Sequence, residues 1–179
     1  MENLKIKLFD YLASFEILSE EEIRIFLSKV EYKKLKKNEY FIKQDMICNQ
    51  VAFVGSGLIR SFYFSSKSEE LTYCFIFPNR LLTAYSSFLR SSPSRENMQA
   101  IVDSELLIIS KSNLEQISTG NNNWMNFLKL MAEEQYLELE YRVFQLQKLE
   151  AKSKYLELLN SFPEIVKEIP LQYIASYLG

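Results

Sequence analysis

The stretch from Trp124 to Glu150 constrains this chain most: it runs 27 residues without a Gly or a Pro. It reads as one helix about 40 Å long. Leu128, Ala132, Leu139, Val143 and Leu146 make one apolar stripe along it. Phe127, Met131, Leu137, Tyr141 and Phe144 make another. A helix apolar around so much of its circumference must be buried on two sides. One side can lie on its own domain. The other needs cover, either from the terminal helices or from the same helix of a second copy across a twofold axis. The homodimer is the simpler arrangement.

The segments before that helix change period twice. Residues 4–15 and 19–30 read as helices. Ser19 and Glu22 stand at capping-box spacing, and Ile23, Phe26, Leu27 and Val30 form one stripe. From about residue 31 the pattern becomes short, aromatic and β-branched: "EYFIKQD", "QVAFV", "GLIRSFYFSS", "LTYCFIF", "ENMQAIVD" and "ELLIIS". Turn-forming residues separate them, among them Asn38, Asp45, Gly55-Ser56-Gly57 and Pro78-Asn79. Many short strands with frequent turns predict an antiparallel sandwich or barrel. "KSNLEQIS" then reads as a short helix with Ser112 and Glu115 at capping-box spacing.

After the long helix, residues 151–161 read as another helix, stopped by Pro163. The closing "IPLQYIASYLG" places Leu171, Ile174 and Leu178 on one helical face. Pro170 suits the helix start and Gly179 its stop.

Composition removes several function classes. The chain has 179 residues and is 47% hydrophobic and 25% charged, which fits a folded soluble protein. No apolar run approaches the roughly 20 residues that span a bilayer. The charged N-terminus lacks the core of a signal peptide. A cytoplasmic protein without a membrane partner is expected. Net charge is −2, which argues against DNA binding by these residues alone. Cys48 and Cys74 are the only cysteines and there is no His. Two thiols cannot build a common zinc or iron–sulfur site. His-based catalysis is excluded, and no cofactor or enzymatic activity is expected. The lysine run "KKLKK" at 33–37 reads either as an anion or DNA patch or as a solvated strand edge.

The order of helices, small β-fold, long helix and incipient helical domain resembles the Crp/Fnr superfamily of transcription regulators. Three local stretches carry the likeness. "KKNEYFIKQDMICNQVAFVGSGLIR" is similar to the family's early strands, with Asn38 at the first turn and Gly57 and Arg60 in a Gly-x-x-Arg element. "AKSKYLELLNSFPEIVKEIPLQYIASYLG" resembles the segment leading into the helix-turn-helix in regulators typical of Bacteroidetes. In it Ala175 matches the small residue of the first motif helix and Gly179 the glycine of its turn. "FPNRLLTAYSSFLRSSPSRENMQAIVD" stands where cyclic-nucleotide-binding members hold their ligand.

The resemblance implies an α+β chain with an antiparallel β jelly roll, N-terminal helices, a long dimerisation helix and the start of a winged helix-turn-helix. It divides the chain into a cyclic-nucleotide-binding-like sensor (1–120), a dimerisation helix (121–150) and an incomplete DNA-binding domain (151–179). On that reading the chain is a fragment that stops before the recognition helix. The function implied is transcription regulation, with DNA bound by the full-length protein and RNA polymerase as a further partner. The alternative is a stand-alone small-molecule-binding module.

Cyclic AMP is not expected to bind. Ala84-Tyr85 stands where the resemblance places Gly-Glu, whose acid holds the ribose. Counting forward from Phe77 puts Arg95 at the phosphate arginine, while counting back from "ELLIIS" puts Ser94 there. Tyr73, Phe75, Tyr85 and Phe88 are candidates to line the pocket, and equally read as ordinary core.

Overall fold

The computed structural model describes residues 1–161 and 163–179. Two helices open the chain, α1 (Glu2–Ala13) and α2 (Glu20–Ser28). Six strands follow: β1 (Glu31–Leu35), β2 (Tyr40–Ile42), β3 (Gln50–Ser56), β4 (Ile59–Phe64), β5 (Glu70–Ile76) and β6 (Arg80–Leu82). A short helix α3 (Tyr85–Arg90) leads to β7 (Asn97–Ala100) and β8 (Ser104–Ser110). Helices α4 (Lys111–Ser118), α5 (Asn122–Lys148), α6 (Ala151–Ser161), α7 (Pro163–Val166) and α8 (Leu171–Leu178) complete it.

The strands form two four-stranded antiparallel sheets, ordered β1-β8-β3-β6 and β2-β7-β4-β5. The fold is jelly-roll-like rather than a closed barrel. Between the sheets lie Leu35, Phe41, Ile42, Ala52, Val54, Ile59, Leu82, Met98, Ala100 and Leu106, all buried. Each of these side chains larger than alanine contributes roughly 1.5–3 kcal/mol by leaving water. The turns follow the expected chemistry. Asn38 sits at φ 70, and Gly57 at φ 93. A side chain at Gly57 would come within 2.6 Å of the Ser104 backbone, so both space and dihedral require glycine there.

A second apolar cluster joins the N-terminal helices to the outside of the first sheet. Leu4, Leu8 and Leu12 of α1 meet Ile23 and Phe26 of α2, Phe53 of β3, Leu107 and Ile109 of β8, and Trp124 and Phe127 of α5. Trp124 stacks on Phe26 with ring centroids 5.2 Å apart. The Ser19–Glu22 capping box forms as expected, and Asn121 and Asn123 at the head of α5 donate to the same Glu22 carboxylate. Desolvation alone would raise that carboxyl. The hydrogen bonds from Ser19, Asn121 and Asn123 outweigh it and hold the pKa at about 2.

Two readings are corrected at helix starts. The cap of α4 is Ser110, which accepts from the Asn113 N–H, not Ser112 with Glu115. Ser110 ends β8, so its extended backbone already has cap geometry. Asn121, by the same logic, caps α5, which begins two residues before the expected start. The short elements β6 and α7 were not read from the sequence. β1 is an edge strand, so its lysines occupy a sheet edge: Lys34 pairs with Asp103 at 3.7 Å. Among the described residues, no helix is long and apolar enough to cross a membrane.

Candidate ligand site

The segment expected to hold a ligand folds as β6, α3 and β7. Ala84 is buried in the inter-sheet core and is the N-cap residue of α3, where its methyl group can make no cap bond. Tyr85 begins the helix and is 43% exposed. The position where the resemblance places a ribose-binding acid therefore holds no carboxylate.

Helix α3 is pinned from two sides. The buried Ser87 hydroxyl accepts from the Cys48 N–H at 2.9 Å and donates to the Ser92 carbonyl at 2.5 Å. Lys111 donates to the Phe88 carbonyl at 2.6 Å and lies 5.3 Å from the Phe88 ring centroid. The chain leaves the helix through Ser91 in the left-handed region.

On the approach to β7 the two candidate phosphate positions differ in exposure. Ser94 is buried, and its hydroxyl donates to the Glu96 carbonyl at 2.8 Å. Arg95 is exposed. Glu96 turns inward, and the fully buried Ser61 hydroxyl of β4 donates to its carboxylate. Burial pushes the Glu96 carboxyl above the ordinary carboxylate range, and the Ser61 hydrogen bond only partly opposes that. Cys74 is the cross-strand partner of Ser61 on β5. Burial pushes its thiol up to about 12, with the Glu96 charge adding. Both cysteines are free. The inward-facing chemistry is thus a hydroxyl, a thiol and an acid. That set offers a phosphate no cation.

The four candidate aromatics do not converge. Phe75 leaves the inter-sheet side and packs on Tyr177 of α8, ring centroids 5.2 Å apart. Phe88 packs toward the N-terminal cluster. Tyr73 and Tyr85 are each 43% exposed. A register shift between Ser61 and Phe62 explains part of this: Ser61 pairs with Cys74 and Phe62 with Thr72, which leaves Tyr73 unpaired in the ladder. Plain alternation along "LTYCFIF" does not anticipate that bulge. Ser61 and Glu96 were missed as inward groups. The alternation of Met98 and Ala100, continued back to residue 96, was the available signal.

The C-terminal segment lies against the roll. Val166, Ile169, Ile174 and Leu178 bury themselves on Leu58, Phe77 and Ile101. Arg60 is fully buried, with its guanidinium 3.5 Å from the Tyr173 ring centroid and 3.9 Å from that of Phe62. Its Nη2 reaches Glu70 at 2.5 Å. Ala175 is exposed. Gly179 takes φ 85, as a helix stop should, and its N–H donates to the Ala175 carbonyl at 3.2 Å.

The long helix divides. Trp124 and Phe127 are buried, and Leu128 and Met131 pack on the N-terminal cluster, so Leu128 belongs to the intramolecular side. Ala132 is half-buried. Further on, Leu137, Leu139, Tyr141, Val143, Phe144 and Leu146 are 43–52% exposed. The terminal helices touch this half mainly through polar groups, Tyr141 and Gln145 meeting Glu157. They leave its apolar side chains uncovered.

No curated protein matches the sequence. Several solved structures share the fold. FixK2 from Bradyrhizobium japonicum is 20% identical, with a TM-score of 0.72 over 84% of this chain and 77% of that one. A putative Crp/Fnr-family transcriptional regulator from Eubacterium rectale is 18% identical, with a TM-score of 0.73 over 95% and 81%. The catabolite activator protein of Thermus thermophilus is 18% identical, with a TM-score of 0.62 over 90% and 78%. Residues 32–121, half of the chain, match the family model of the cyclic nucleotide-binding domain. The roll, its short α3 and the helix that follows are what that match describes, and the chain belongs to the cyclic nucleotide-binding domain family.

Proposed function

We propose that this chain is the sensor and dimerisation part of a Crp/Fnr-type transcription regulator. It pairs with a second copy through the second half of α5, and α6–α8 open a helix-turn-helix domain that binds DNA in the whole protein. The observation that carries the reading is α5. Its first turns are buried on the sensor, while its later turns expose six large apolar side chains. Water tolerates such a ridge poorly. A twofold copy of the same ridge would cover it. The likeness to regulators from Bradyrhizobium, Eubacterium and Thermus supports the same reading.

The effector is not cyclic AMP. The ribose acid is replaced by Ala84-Tyr85, Arg95 faces solvent, and the inward set offers a phosphate no cation. Losing one hydrogen bond to a charged group costs roughly 1.5–3 kcal/mol, or about ten- to a hundredfold in affinity. Calorimetry with cyclic AMP and cyclic GMP should show no heat at micromolar concentration. The regulatory reading itself is tested by footprinting on DNA upstream of the gene. The whole protein should protect a twofold-symmetric site, with affinity falling steeply as salt rises. These 179 residues alone should protect none, because base edges are read by the second motif helix. Sequence-selective protection by this chain alone would overturn the assignment of α8.

A further inference from the structure

The contact of α8 gathers most of the unpaired buried polar atoms among the described residues. Among the described residues, five buried side-chain polar atoms have no hydrogen-bond partner: Arg60 Nε, Arg60 Nη1, Thr72 Oγ1, Asn97 Nδ2 and Arg142 Nη1. Four of the five lie where α8 meets the roll and α5. Arg60 is sandwiched against Tyr173 of α8, and Arg142 of α5 stacks 3.7 Å from the Tyr177 ring centroid and donates to the Tyr177 carbonyl. The Thr72 N–H donates to Ser176 at 2.9 Å, and Ser176 donates to the Glu70 carbonyl at 3.1 Å. Lys154 of α6, itself buried, donates to the Leu178 carbonyl. Each buried donor left unpaired opposes docking, because it has given up water for nothing. Apolar burial of Ile174 and Leu178 favours it. The two effects act against each other, as they must in a contact that opens and closes.

We propose that α8 is a reversible strap, held against the edge strand β5 by the Arg60 sandwich, whose docked position keeps the helix from packing in a DNA-binding domain. Three features of the contact support this. The catch is a stacked cation, which desolvates at less cost than a lysine would. Ser176 satisfies the edge of β5 with a side chain, so undocking exchanges two hydrogen bonds for water without tearing a strand from the sheet. The cations at the far end, Arg142 and Lys154, hold the last-turn carbonyls of α8 and so tie its position to α5 and α6. A shift of the second half of α5, as on pairing or effector binding, would pull on α8 directly. The strap rests on the reading of α8 as the opening helix of a helix-turn-helix.

Amide hydrogen exchange read by mass spectrometry tests it. In the unaltered chain, residues 171–178 should be protected, but less than β4 and β7. Tyr173→Ala should speed exchange of 171–178 by about tenfold or more, while Tyr173→Phe, which keeps the stack, should leave it unchanged. Arg60→Ala should act like Tyr173→Ala. If it also loosens β4, the Tyr173 pair, which alters only the helix side, decides. Exchange of α8 at the unfolded rate in the unaltered chain, or protection indifferent to Tyr173→Ala, would overturn the strap. Failure of the DNA-binding reading would look different. The strap would open on Tyr173→Ala as expected, yet the whole protein carrying that change would bind upstream DNA no more tightly than before. That outcome would overturn the regulatory role.

Discussion

The two halves of α5 share one helix and almost one composition, yet they meet opposite fates. Trp124, Phe127, Leu128 and Met131 lie at helical spacing on a face that finds Phe15, Phe26 and the leucines of α1 waiting. Leu139, Val143 and Leu146 also stand at helical spacing and find no such surface. Apolar periodicity states that a face must be covered, not by what. Folding the chain covers the first half and leaves the second bare, which is the half that the proposed reading gives to a second copy.

The largest expected effect breaks the first half. Trp124→Ala removes the ring on which Phe26 stacks and should cost about 3–5 kcal/mol of unfolding free energy, as large-to-small core changes do. Chemical denaturation would show it as a lower midpoint at unchanged slope. Leu139 and Val143 together changed to Glu should leave that midpoint, taken at low protein concentration, within about 0.5 kcal/mol of the parent. If the pair destabilises the isolated chain as Trp124→Ala does, the two halves are not distinct.

The fixing of the head of α5 is open to a pH test. Glu22 binds Ser19, Asn121 and Asn123, and its folded pKa of about 2 lies below the ordinary value. A depressed carboxyl lends stability above its unfolded pKa, and that stability drains away as pH falls toward 2. Glu22→Gln should therefore cost about 1 kcal/mol at pH 7 and nothing near pH 2. Equal loss at both pH values in thermal melts would mean that packing, not charge, makes the contribution.

Glu96 should behave oppositely and more weakly. Its folded carboxyl is raised by burial, so its charge opposes folding once pH rises through that raised value, and protonation relieves it below the unfolded pKa. Glu96→Gln should raise the melting temperature modestly at pH 7 and leave it unchanged at pH 4. A lower melting temperature at pH 7 would show that the Ser61 bond outweighs the burial.

Much of this was legible in the sequence. The Ser19 capping box, the Asn38 and Gly57 turns, the block of short strands and the extent of α5 follow from local chemistry, and local chemistry formed them. The candidate site was less legible. Ala84-Tyr85 could be read as lacking an acid, but the inward turn of Glu96 and the outward turn of Arg95 depend on where β7 begins. Tyr73 lost its place in the ladder to a one-residue bulge between β4 and β5, which no composition announces, while Phe75, the regular partner of Arg60, faces α8. The contacts that dock α8 were not legible. They depend on Arg60 and Tyr173, 113 positions apart, finding each other through the finished sheet.

Sedimentation velocity of the chain and its Leu139→Glu/Val143→Glu variant at micromolar concentration tests the account most directly. The account predicts that the parent sediments at twice the chain mass, that the variant sediments at the chain mass, and that both have the same far-ultraviolet circular dichroism. A monomeric parent, or a variant that remains dimeric, would contradict the claim that the bare half of α5 is where two copies meet.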